Sequence, residues 1–161
     1  MDDTEGFLDW FAGFVAGEGC FIISSINQGN RFYCRLDINL RDDDLPILLK
    51  IQETLGIGTI CRRKGEGLRR SQVEWVTHSI DEALRLVEIF DAHPVRAKKQ
   101  ADYEIWKEAV LEISRGRRKG RRATYDRQRL FYLKQKLSLV RAYDVPEIEF
   151  EPEGEQLELA L

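Results

Sequence analysis

The apolar positions change period along the chain. Phe7, Leu8, Phe11, Phe14 and Val15 recur at helical spacing behind Asp3 or Thr4 as caps, which predicts a first helix running to about Gly17. Residues 19–26 read as a strand, with Phe21 and Ile23 alternating against Ile22 and Ser24, and Asn27-Gln28-Gly29-Asn30 as the turn after it. The return strand has a clear period of two. Phe32, Cys34, Leu36, Ile38 and Leu40 line one face, and Tyr33, Arg35, Asp37 and Asn39 line the other.

Asp42-Asp43-Asp44 before Leu45-Pro46 predicts a helix start with acids in its first turn, continuing through Ile47, Leu48, Ile51 and Leu55 to a stop at Gly56. Gly58 to Arg63 is a third strand, Lys64 to Gly67 a turn, and Arg70 to His78 a fourth strand in which Val73, Trp75 and Thr77 alternate with Gln72, Glu74 and Val76. Ser79-Ile80-Asp81-Glu82 is a capping box opening a helix with Ala83, Leu84, Val87 and Phe90. Pro94 breaks it and starts the next helix, a Gly- and Arg-rich loop spans 114–123, and Thr124 caps a last helix ending near Tyr143. The order αββαββα plus helices predicts two strand–strand–helix halves in one α+β sheet.

Within the first helix, Gly13 and Gly17 lie four apart beside Ala12 and Ala16. One face is almost bare of side chains, so two helix backbones can approach closely, as in small-xxx-small packing. Glu18 then falls at the negative end of the helix dipole, where a carboxylate is disfavoured. A second copy across a helix pair adds like-charge repulsion, and a cation relieves both penalties.

Composition narrows the alternatives. With 161 residues, 43% hydrophobic and 33% charged, the chain is expected to be one globular domain with a real core. No apolar run reaches membrane length and the acidic start does not read as a signal peptide, which predicts a cytoplasmic or organellar-matrix protein without membrane contact. Cys20, Cys34 and Cys61 have no CxxC spacing and read as reduced sheet residues, while His78 and His93 read as polar residues near element ends.

Charge distribution matters more than its total. The net charge is −3, yet the six acids after Val145 (Glu147, Glu149, Glu151, Glu153, Glu155, Glu158) have no basic partner there. Leaving them out moves the balance to +3, and leaving out Asp2, Asp3, Glu5 and Asp9 as well moves it to +7. The basic residues cluster at Arg62-Arg63-Lys64, at Arg69-Arg70 and from Arg115 to Arg122. Three such clusters beside sheet hairpins point to a polyanion-binding face. No nucleotide loop, nucleophile elbow or metal cluster supports an ordinary metabolic enzyme.

Phe11-Ala-Gly-Phe-Val-Ala-Gly-Glu-Gly19 resembles the nine-residue signature of the LAGLIDADG homing endonucleases, and the αββαββα order over about residues 5–115 resembles that family's core. Phe11 stands where the motif has Leu, Ala16 where its first Asp falls, and Glu18 where its metal-binding Asp falls. The resemblance implies residues 1–144 as the endonuclease domain, with a C-terminal helical part over 116–144 and an acidic, loosely ordered tail over 145–161. The implied fold is a saddle-shaped, four-stranded antiparallel sheet with helices on one face. The implied activity is a Mg²⁺-dependent double-strand break in a long, nearly palindromic DNA site, with Mn²⁺ or Ca²⁺ as alternative occupants.

One motif implies a homodimer whose seam is Ala12, Gly13, Ala16 and Gly17. Glu18 and the Gly17 carbonyl are then the metal ligands, two Glu18 carboxylates meeting below the seam. Double-stranded DNA is read from the major groove by Ser24, Gln28, Asn30, Tyr33, Arg35, Asp37, Asn39, Arg63, Gln72 and Glu74, with Lys64, Arg69 and Arg70 nearer phosphates. Asp42, with Asn39 and Arg41 nearby, falls at the family's water-orienting position at the end of the second strand. Lys98, with Lys99 as its neighbour alternative, supplies the basic residue ahead of the helix after strand four. The same scaffold implies two alternatives, an intron RNA-splicing maturase and a non-cleaving DNA-binding protein.

Overall fold

The computed structural model describes residues 3–67, 70–117 and 124–142. Helix α1 (Asp3–Glu18) runs directly into strand β1 (Gly19–Ile26), which turns into β2 (Arg31–Arg41). Helix α2 (Leu45–Leu55) leads to β3 (Thr59–Arg63) and β4 (Gln72–Val76), and α3 (Ile80–Ala92), α4 (Lys99–Gly116) and α5 (Arg127–Val140) follow. The four strands form one sheet in the order β1-β2-β4-β3, antiparallel throughout. Two consecutive hairpin-like halves therefore meet at β2 and β4, as the element order predicts.

The period-two pattern settles which face is covered. Phe21 stands opposite Leu36, Ile23 opposite Cys34, and Ile38 opposite Trp75. All six are buried. Helices close this face through an aromatic cluster in which Phe11 stacks on Phe90 at 5.6 Å and Phe21 meets Trp106 at 5.1 Å. Such rings bury large apolar areas and dominate the energy of a small core. Trp75 also reaches the loop before β3: its Nε1 donates to the Ile57 carbonyl at 3.1 Å. Gly58 sits against that ring with φ +84°, and a Cβ there would come within 2.3 Å of it.

Several element ends differ from expectation for reasons of tertiary contact. The acids Asp42–Asp44 form their own 3₁₀ turn ahead of α2, with Arg41 paired to Asp43. Strand β4 is shorter at both ends than Arg70–His78, although Thr77 continues the pairing by exchanging bonds with Leu36 through its N–H (3.1 Å) and Oγ1 (3.0 Å). Pro94 ends α3 but does not start the next helix. Val95 is buried, Ala97 takes a left-handed φ of +58°, and α4 begins only at Lys99.

The last helix is capped by Asp126 rather than Thr124. Its side chain accepts from Arg129 N–H at 3.0 Å, while its own N–H donates to the buried Glu112 carboxylate at 2.9 Å. That helix ends at Val140 instead of near Tyr143. The Ser79 capping box is present in full. The acidic tail over 145–161 and residues 118–123 of the 114–123 loop lie outside the described residues. Among the described residues, no helix is long and apolar enough to cross a membrane. The three cysteines are free thiols, and burial pushes that of Cys34 up to about 12.

Candidate nucleic-acid interface and cation site

Glu18 closes α1 and is exposed. The joint to β1 is abrupt because Gly19 allows it: a Cβ there would lie 2.7 Å from the Val15 carbonyl oxygen. The last carbonyls of a helix have no intrahelical partner. Glu18 and the neighbouring Gly17 carbonyl therefore offer hard oxygen donors at one point, of the kind Mg²⁺ or Ca²⁺ selects. Among the described residues no group of three or more His, Cys, Asp or Glu could enclose a metal within the chain. The donor set suits a hard divalent cation but does not by itself enclose one.

The bare face of α1 is real but shifted. Gly13 and Gly17 are exposed, with nothing within 4 Å of a Cβ built on either, and Ala16 is half-buried. Ala12 departs from the expected seam: at 2% exposure it belongs to the chain's own core beside Phe11 and Val15. Gly6 shares the open face, and Trp10, 39% exposed, stacks on Phe14 at 5.0 Å along its flank. Sequence reasoning passed over Gly6 and Trp10, although their spacing from Gly13 and Gly17 places all four together on a helical wheel. On another side of α1, His93 closes α3, as its reading near an element end predicts, and is buried. Its ring nitrogens lie 2.7 Å from Asp9 Oδ1 and 3.4 Å from Glu5 Oε2.

The sheet face away from the helices carries most of the expected DNA readers. Ser24 faces Tyr33, Asn39 faces Glu74, and Arg41 and Arg63 both face Gln72. Arg35 and Asp37 alternate onto the same side. Gln28 and Asn30 sit in the exposed turn between β1 and β2, where Asn27 and Gln28 take φ of +50° and +54°. Lys64 and Arg70 flank an open cleft of about 560 Å³ with Arg41, Arg63 and Gln72. Arg69 lies outside the described residues.

Two of these residues are not free readers. Asp37 and Glu74 are each only 7% exposed. Asp37 lies 3.1 Å from Arg35, and burial is the chief cause holding its carboxyl above the usual carboxylate range, with Arg35 opposing and Glu74 adding to the shift. Glu74 accepts from Arg63 Nη2 at 2.9 Å and from Asn39 Nδ2 at 3.4 Å. Both Glu74 oxygens are engaged, whereas Asp37 Oδ1 is buried without a hydrogen-bond partner among the described residues.

The expected water-orienting and basic positions separate in the same way. Gly19, the first residue of β1, pairs with Ile38, the neighbour of Asn39 in β2. Asp42 follows the end of β2 as the first residue of the 3₁₀ turn Asp42–Asp44. Its N–H donates to Ser71 O at 3.2 Å, and it borders a smaller cleft with Arg62, Arg63 and Lys64. Asp42 thus borders the basic β3–β4 hairpin. The helix directly after β4 is α3, and Lys98 stands one helix later, exposed at the N-cap of α4. Lys99 reaches the buried Asp102 at 4.0 Å, which leaves Lys98 as the more outward of the two.

Residues 11–110 match the family model described as LAGLIDADG endonuclease. The chain is 30% identical over 108 residues to a probable intron-encoded endonuclease, Cox1-I1b, of Schizosaccharomyces pombe, covering 65% of this chain and 27% of that protein. It spans between 17% and 27% of the length of the curated relatives it matches. Among solved structures, the LAGLIDADG meganuclease I-AabMI bound to uncleaved DNA is similar at 30% identity and a TM-score of 0.59, over 67% of this chain and 37% of that one. The archaeal intron-encoded homing endonuclease I-Vdi141I complexed with DNA shares the fold (21% identity, TM-score 0.57) over 84% of this chain and 99% of its own. I-SmaMI, bound to uncleaved DNA in the presence of calcium ions, shares it at 16% identity and a TM-score of 0.65, over 82% of this chain and 45% of its own. The motif at Phe11–Gly19, the antiparallel sheet and the match over residues 11–110 agree: the chain belongs to the LAGLIDADG endonuclease family.

Proposed function

We propose that this chain is one half of a homodimeric, site-specific DNA endonuclease. The observation that carries the reading is the junction of α1 and β1. An exposed carboxylate, Glu18, ends a helix whose outer face is open glycine, and the next residues enter a sheet with a polar, basic-edged outer face. Helix pairing through Gly13 and Gly17 brings two Glu18 residues towards the dyad of two such sheets. The open face of α1 at Gly6, Gly13 and Gly17 supports the pairing.

In this reading each residue has a separable task. Glu18 and the Gly17 carbonyl hold a divalent cation, for which Mg²⁺ is the natural occupant of an all-oxygen donor set completed by phosphate and water. When bound, that cation supplies charge neutralisation at the phosphate and a more acidic water. Lys64 and Arg70 draw the backbone onto the β3–β4 edge, and Asn39, Tyr33, Arg35, Arg63 and Gln72 face base edges in the major groove. Lys98 provides a positive charge near the scissile phosphate.

The test is a supercoiled plasmid carrying the duplex that the protein selects from a randomised pool, incubated with and without Mg²⁺. Metal-dependent conversion to linear DNA supports the proposal. Selective binding without any cleavage would instead mark a DNA-binding protein on the same scaffold.

A further inference from the structure

Glu74 has an arrangement that DNA reading alone does not require. It stands opposite Asn39 on the outward face, and Arg63 reaches the same carboxylate from β3. Glu74 is 7% exposed, whereas Asn39 is exposed and the Arg63 side chain is 64% exposed. Each carboxylate oxygen has its own partner, Oε1 with Asn39 Nδ2 and Oε2 with Arg63 Nη2. A buried acid with both oxygens engaged is poorly placed to accept from a cytosine amino group. Pairing with Arg63 also offsets its repulsion of phosphates.

The consequences fall on the two partners. An ionised carboxylate only accepts, so the Asn39 amide must present its nitrogen to Glu74 and turn Oδ1 away. One amide N–H and Oδ1 remain, which is the acceptor–donor pair that matches adenine N6 and N7. Arg63 spends one of its five N–H groups on Oε2 and keeps enough of its fork for guanine O6 and N7. Without Glu74 the amide can flip and the long arginine loses its anchored end.

We propose that Glu74 is a positioning residue that aims two base readers in duplex DNA, Asn39 at an adenine and Arg63 at a guanine. The inference rests on the DNA-binding reading above. It names two base identities and assigns their joint control to a residue that touches neither base.

The test is selection of bound duplexes from a randomised pool by the full chain, as wild type and as Asn39→Ala, Arg63→Lys, Glu74→Gln and Glu74→Asp, each checked by thermal melting. Asn39→Ala should erase one adenine preference and Arg63→Lys one guanine preference. Both Glu74 variants should erase the two together, each by roughly 5- to 150-fold, with other positions retained. Glu74→Asp keeps the charge and withdraws both oxygens by one methylene, so it tests position apart from charge. A uniform loss of affinity with both preferences intact in folded Glu74 variants would overturn the inference, as would readers that prefer other bases. Failure of the wild type to bind any duplex would overturn the DNA-binding reading itself.

Discussion

Gly19 pairs with Ile38 at the point where α1 becomes β1, so the residue after Glu18 lies opposite the residue before Asn39. The carboxylate assigned to the cation and the amide assigned to a base are therefore placed by one hairpin. No loop intervenes between them and the helix that carries the dimer face. Errors in that joint should be felt in both binding and chemistry.

Gly19→Ala tests the joint directly. A Cβ would meet the Val15 carbonyl oxygen and Cγ1 at 2.7 Å, both fixed by the helix. Relief requires a backbone shift, at a cost of about 1–3 kcal/mol. Urea unfolding should show a lower midpoint with an unchanged slope. An unchanged midpoint would mean the joint has slack that its geometry denies.

Gly13→Leu separates assembly from folding. Nothing lies within 4 Å of a Cβ at this exposed position, and replacing a mid-helix glycine favours the helix by roughly 0.5–1 kcal/mol. The variant should melt no lower than the wild type under monomeric conditions. In sedimentation it should run as a single 18.8 kDa chain where the wild type runs as two. A normal dimer would move the seam elsewhere on α1 or off it.

Asp37→Asn should reveal the cost of a buried charge on the interface. Burial raises the Asp37 carboxyl above its ordinary 3.8, so the native state binds its proton more tightly than the unfolded chain does. The stability contributed by that proton is full below 3.8 and is lost as pH rises through the higher folded value. The urea midpoint of Asp37→Asn should therefore gain on that of the wild type as pH increases from 4 to 7. A constant difference across that range would show that Arg35 compensates the charge fully.

Much of this architecture is legible in residue order, and the exceptions share a cause. The period of two from Phe32 to Leu40 marks the two sheet faces, and Ser79 with Glu82 marks the start of α3, because both are local patterns. Ala12 and Ala16 look alike in a small-residue stripe. Only packing against the sheet sends Ala12 into the core and leaves Ala16 half out. Thr124 is as good a local cap as Asp126, but the Glu112 carboxylate selects Asp126 from another helix. Asp42 looks like the polar end of β2 in the sequence, yet it opens the 3₁₀ turn before α2 and its N–H bonds the Ser71 carbonyl just before β4. Glu74 reads as a base contact by alternation and becomes a brace once Arg63 and Asn39 are beside it. Pairing, offset and burial depend on contacts distant in sequence, and period alone does not encode them.

The central claim is that Glu18 serves a divalent cation at DNA and is not a solvated helix end. Wild type and Glu18→Gln should be compared on the selected duplex in a supercoiled plasmid, with binding measured on the same preparation by mobility shift in Ca²⁺. The exchange keeps shape and removes the charge. The prediction is retained sequence-selective binding with Mg²⁺-dependent cleavage lowered by at least about 10³-fold, the scale of a lost essential group. Cleavage by Glu18→Gln at the wild-type rate would contradict the account.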